Sequence, residues 1–173
     1  MLQKQLRNGN FYWLVALVMM GILFYSSSQP YEEQSLIPLL EKWLASKPLE
    51  SRLSGIAFTY GGKEVSVAYS GYFAFVEFFI RKGAHFFTYF IMSWSLFVGT
   101  SKKMSEYFFV AVLVWLAATG YAALDEYHQM LTSGRSPLFQ DILLDSVGAL
   151  TAVLGTLLWL QLFKGKGKKR KKR

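Results

Sequence analysis

Ionisable side chains inside apolar runs ask for a reason, because a charge in hydrocarbon is costly. This chain places such groups at three points. Arg81, Lys82 and His85 interrupt one apolar stretch, which continues through Tyr89. Asp125, Glu126, His128 and Gln129 follow a second, and Asp141 and Asp145 open a third, with Arg135 shortly before them. On a helix, Lys82, His85 and Tyr89 share a face, as do Asp125, His128 and Gln129, with Glu126 about 100° round the axis. Asp141 and Asp145 stack one turn apart. Each residue alone has an ordinary explanation. An aspartate at a helix N-terminus satisfies the dipole, and Arg81 or Lys82 can reach up to lipid phosphates. The whole set resists that explanation, since a bundle held by packing alone needs none of it.

Three chemistries suit these residues. Arg81, Lys82 and Arg135 can grip a phosphate or carboxylate, arginine through paired hydrogen bonds. His128 with Asp125 or Glu126 can form a general acid/base pair acting on a lipid-linked substrate. His85, His128 and the carboxylates can hold a divalent metal. The metal reading is the weakest, because no HExxH-type spacing is present, and neither a metal nor a cofactor is expected. No serine beside a histidine suggests a triad, and no glycine-rich phosphate loop follows a strand. The chain has no cysteine, which excludes disulfides, zinc–thiolate sites and thiol nucleophiles.

The elements that carry these groups are membrane helices. Of the 173 residues 53% are hydrophobic and only 17% charged, against roughly 25% in soluble domains. A soluble chain of this size has no place to hide that much apolar surface. Four apolar segments stand out, at about 11–28, 78–98, 107–124 and 142–163. The first, with Lys4 and Arg7 before it, also has the outline of a signal peptide. It is long for one, and Ser26–Pro30 makes a poor cleavage site, so it reads as a retained helix. The expected fold is therefore an all-α membrane protein with four transmembrane helices. One bundle domain covers residues 1–163.

Charge orients it. The net charge of +8 comes from the tail 164–173, which holds eight of the 19 basic residues and leaves the remainder neutral. Lys4, Arg7, Lys102, Lys103 and this tail fall on one side of a four-span arrangement, which the positive-inside rule makes cytoplasmic. Both termini are then cytoplasmic and the polar groups gather at the outer end. The tail reads as disordered and drawn to anionic lipid. It has no aromatic residue to stack bases, so nucleic acid is not an expected partner. Gly148 and Gly155 should permit close helix contact rather than bind anything.

An extracytoplasmic insert at about 30–76 separates the first two spans. Leu36, Leu39, Leu40, Trp43 and Leu44 make an apolar helical stripe suited to the membrane surface or the bundle. Strand formers at 56–60 and 65–69 flank Gly61-Gly62-Lys63-Glu64, a β-hairpin signature.

These motifs resemble the VanZ-like family of bacterial membrane proteins. The likeness rests on Arg81-Lys82-Gly83-Ala84-His85-Phe86 followed by Tyr89, and on Asp125-Glu126-Tyr127-His128-Gln129. It continues through Gly134-Arg135-Ser136-Pro137, Asp141-Ile142-Leu143-Leu144-Asp145 and Gly148, with Ser27-Ser28-Gln29-Pro30 ending the first helix. The family takes its name from a protein associated with resistance to the glycopeptide teicoplanin. The resemblance implies a cell-envelope protein whose shared residues are His85, Asp125, Glu126, His128, Gln129, Arg135, Asp141 and Asp145. The expected ligand is a lipid headgroup or a lipid-linked cell-wall precursor, with a glycopeptide also possible. Arg81, Lys82 and Arg135 would meet its anionic group. Two alternatives stay open: an acid/base hydrolase or transferase using His128 with Asp125 or Glu126, and a structural partner of a cell-wall enzyme that docks through the hairpin.

Overall fold

The computed structural model describes residues 8–30, 32–133 and 137–170, with side chains described as far as residue 162 except that of Ser133. Four long helices dominate: α1 (Asn10–Ser27), α5 (Tyr72–Ser101), α6 (Tyr107–Ser133) and α7 (Phe139–Arg170). Between α1 and α5 lie a 3-10 turn at Glu32–Gln34 and the short helices α2 (Ile37–Trp43) and α3 (Glu50–Leu53). The hairpin β1 (Ala57–Tyr60) and β2 (Lys63–Ser66) follows, then α4 (Val67–Ser70).

The helices are apolar outside as well as inside, unlike those of a soluble bundle, and polar side chains are buried among them. Leu14, Leu17, Phe108, Leu116, Leu124, Leu154 and Leu158 face outward. Ala16, Ala118, Ala122 and Ala149 form the centre with Leu23, Tyr89 and Met92. A second cluster joins Phe97, Val110, Ala111, Val114 and Val153. Three helical stretches are long and apolar enough to cross a membrane: Asn10–Ser27, Tyr107–Thr132 and Phe139–Leu162. The fourth long helix, α5, spans 30 residues but carries Glu77, Arg81, Lys82 and His85 in its first half.

α5 is the hub, packed on α1, α6 and α7. Two of its contacts are close enough to need glycine. A Cβ on Gly148 of α7 would lie 2.6 Å from the Phe86 carbonyl oxygen. One on Gly9 would lie 2.5 Å from the Gly99 carbonyl oxygen, which ties the start of α1 to the end of α5. The close packing read for Gly148 is found, whereas Gly155 meets open space and is not at a tight contact. Across α6 and α7, Trp115 Nε1 and the Thr119 hydroxyl both bond Ser146 Oγ, and Tyr121 donates to the Met20 carbonyl of α1.

Some boundaries differ from the sequence reading. α6 continues through Ser133, nine residues beyond Leu124, so Asp125–Gln129 lie inside the helix rather than closing it. The apolar run stops there, but nothing before Gly134 breaks a helix. α5 starts at Tyr72 rather than 78. The backbone of α7 is helical as far as Arg170; lysine is a good helix former and the span provides the nucleus. The hairpin is tighter than expected, Tyr60 pairing Lys63 around Gly61 and Gly62. Both glycines have positive φ, 58° and 78°, as a two-residue hairpin turn requires. Val67–Ser70 is helix, not strand. Ser66 Oγ accepts from Tyr69 N–H and starts the turn as an N-cap. Of the insert's apolar stripe, Leu40 is buried while Leu39 and Trp43 stay exposed.

Candidate functional site

The end of α1, the start of α5, the end of α6 and the start of α7 meet at one end of the bundle, and the polar residues meet with them. They form three linked groups.

The first joins α1 to α6. Ser27 Oγ donates to Asp125 Oδ1 at 2.5 Å, and Gln129 Nε2 donates to Asp125 Oδ2 at 3.3 Å. The Thr132 hydroxyl lies 2.8 Å from both the Ser27 and the His128 carbonyl oxygens. Asp125 and Gln129 sit one turn apart and are both buried, so one face of α6 receives the last turn of α1.

The second group joins α5 to α7. His85 Nδ1 lies 3.4 Å from Asp145 Oδ2, while Asp145 Oδ1 is buried with no hydrogen-bond partner among the described residues. Tyr89, one turn along α5 from His85, is fully buried, and its hydroxyl also lacks a partner. Buried polar atoms left in this way cost free energy.

The third group brings in the insert. Asp141 Oδ1 accepts from both Lys82 Nζ and the Tyr60 hydroxyl of β1. Lys82 also lies over the Tyr60 ring, 4.9 Å from its centre. Burial, and then the bond to Asp141, push the Tyr60 phenol well above its ordinary range, so it stays a proton donor. Arg81 Nη2 is 3.5 Å from Gln34 Oε1, and Gln34 in turn donates to the Ser26 and Gln29 carbonyls. Glu126 Oε1 accepts from Leu138 N–H at 2.7 Å and so fixes the approach to α7.

A cavity of about 40 Å³ lies at the junction. Arg81, Lys82, His85 and Gln129 line it on one side, and Asp141, Leu144 and Asp145 on the other. Its volume is little more than the roughly 30 Å³ share of one water in the liquid.

Most of the residues singled out from sequence converge here, with two exceptions, and one buried carboxylate went unread. His128 does not line the cavity. Its ring stacks on Phe24, centres 4.4 Å apart, and its Nδ1 is buried without a partner. Among the described residues nothing bonds its side chain to Asp125 or Glu126, whose carboxylates have the partners given above. Arg135 lies outside the described residues. Glu77 was missed altogether. It is 1% exposed, and one oxygen accepts from Leu36 N–H while the other is buried without a partner. A lone carboxylate within the apolar run Phe73–Ile80 was the signal that could have found it. No three His, Asp or Glu side chains among the described residues are grouped to hold a metal ion.

No curated protein and no solved structure matches the chain. A family model described as VanZ/LLP1 matches residues 11–161, a stretch that contains all four long helices' apolar parts, the insert and every residue of the polar junction. With that match over most of its length, the chain belongs to the VanZ/LLP1 family.

Proposed function

We propose that this VanZ/LLP1 protein is a four-span cell-envelope protein that binds an anionic lipid headgroup, or the anionic part of a lipid-linked cell-wall precursor, at the polar end of its bundle. α5 is the remaining span. Arg81 and Lys102 are 21 residues apart on or at the end of this helix, about 31 Å along its axis, which equals the roughly 30 Å of hydrocarbon in a bilayer. Lys102 and Lys103 then join both termini on the cytoplasmic side, and the polar junction faces out.

The observation that carries the binding reading is that Arg81 and Lys82 line one cavity with His85 and Asp145 in a bundle otherwise walled by apolar side chains. The cavity admits about one water, so a headgroup sits at its mouth with a single oxygen in that water's place. Arg81 supplies the paired donors, and Lys82 shares its charge between Asp141 and the ligand. Carboxylates around two bases keep the empty site near neutrality. Native mass spectrometry of the purified protein should find an anionic lipid retained, and Arg81→Gln should release it. A parent protein that carries no lipid, or a variant that keeps it, would overturn this reading. The same site would serve an association with glycopeptide resistance by holding the precursor such drugs target.

A second reading has one observation behind it. His85 is paired with Asp145 at the cavity, the arrangement of a general base held in one tautomer. On this reading the protein cleaves or transfers a group of a lipid-linked substrate, with His85 rather than His128 as the base. Loss of function in His85→Gln with retained lipid binding would favour it, and full function in that variant would remove it.

A further inference from the structure

At the opposite end from the polar junction, α1, α5 and α7 leave an apolar groove of about 770 Å³ between them. Phe90, Trp94 and Phe97 of α5 form one wall, and Ala152, Gly155 and Trp159 of α7 the other. Its mouth is polar. Lys102 stands there over the Tyr12 ring at 4.7 Å, and Ser101 Oγ is buried with no hydrogen-bond partner among the described residues. Among the described residues no acidic side chain lines the groove.

We infer that this groove is a binding site for one anionic phospholipid, its acyl chain between α5 and α7 and its phosphate at Lys102 and Ser101. Three observations point to that occupant. The volume falls within the roughly 300–1,000 Å³ of small-molecule sites, far above what a packing defect leaves. Apolar walls inside the hydrocarbon layer exclude water, so an acyl chain fills the space. The mouth then holds the Lys102 cation and, among the described residues, an unpaired Ser101 hydroxyl at headgroup depth and no carboxylate to repel a phosphate. The site lies a membrane thickness away from Arg81, and it does not depend on the ligand proposed for the outer end.

The glycines supply the test. A Cβ at Gly155, which lines the groove, meets no atom within 4 Å, and neither does one at Gly21 on the outward face of α1. Gly155→Leu therefore places a side chain in the groove where the acyl chain would lie, and Gly21→Leu is its control. The full-length protein is reconstituted in nanodiscs of equal phosphatidylglycerol and phosphatidylcholine, and retained lipid is read by native mass spectrometry with Arg81→Gln in the background to empty the outer site. The expected result is one retained phosphatidylglycerol, preferred about fivefold, the worth of one lysine near an anionic lipid. Gly155→Leu should lose it, Gly21→Leu should keep it, and Lys102→Ala should bind both lipids alike. Unchanged retention in Gly155→Leu overturns the site, and unchanged preference in Lys102→Ala overturns the headgroup assignment. If Gly155→Leu instead turns a dimer into a monomer with its lipid unchanged, the groove is an interface between copies and the inference fails.

Discussion

The close approach of α5 and α7 at Gly148 holds the two halves of the polar cavity together, and Gly148→Ala should pull them apart. The added Cβ would lie 2.6 Å from the Phe86 carbonyl oxygen, about 0.8 Å inside the 3.4 Å of ordinary contact. That oxygen is backbone in mid-helix and cannot swing away, so the helices must separate. Overpacking of this kind costs about 1–3 kcal/mol. Alanine gains up to about 1 kcal/mol over glycine in helix propensity. The clash should therefore win by up to about 2 kcal/mol, which at that limit is a fall in Tm of roughly 4–8 °C on the scaling for a chain of this length. Gly155→Ala has the same propensity gain and no clash, and should hold or raise Tm. The assay is thermal unfolding of both variants in the same mild detergent. Gly148 is also one turn from Asp145 and Phe86 is next to His85, so the 3.4 Å contact between His85 and Asp145 should lengthen with the helix separation. Equal Tm values for the two variants would refute the claim that this contact positions the site.

Three further outcomes follow from the same geometry. Glu77→Ala should leave Leu36 N–H unpaired and loosen the insert by about 1–3 kcal/mol, seen as faster proteolysis of residues 30–71; Glu77→Gln, which keeps an acceptor, should restore most of the protection. Ser27→Ala removes the donor to a buried carboxylate and should destabilise the junction of α1 with α6 by about 1–3 kcal/mol, measured against Ser28→Ala, whose exposed hydroxyl bonds only its own helix. Docking of the hairpin should also depend on pH in a defined direction. The Tyr60 phenol is raised above its ordinary value of 10.0, so the protonated form is favoured when docked. Protection of β1 and β2 from hydrogen exchange, compared with that of α5 at each pH, should be constant below pH 10 and fall above it, and Tyr60→Phe should abolish that dependence.

Sequence carried the helices and the insert well, because long apolar runs and a Gly-Gly turn are local signals. It also carried the gathering of polar residues, since topology alone sends the ends of successive helices to the same side. It did not carry the pairing. Whether Asp125 meets His128, on its own helix face, or Ser27, from another helix, depends on how α6 is rotated against α1, and no spacing states that. The histidine that finds a carboxylate is His85 across the α5–α7 contact, set by Gly148. The end of α6 was misplaced because charge was read as a terminus, whereas a buried hydrogen-bonded face lets the helix carry Asp125 and Gln129 inside. Glu77 would have yielded to the same reasoning used for Arg81, had its cost in an apolar run been weighed.

The account rests on the polar junction facing out of the cell. With no native cysteine to interfere, one cysteine placed at Lys63 in the hairpin and, separately, one at Ser105 between α5 and α6 report each side in intact cells. Both positions are exposed. A membrane-impermeant maleimide should label Lys63→Cys and leave Ser105→Cys untouched until the cells are opened. Labelling of Ser105→Cys alone would turn the protein over, put the cavity of Arg81, Lys82 and His85 in the cytoplasm, and contradict a role in holding cell-wall precursors.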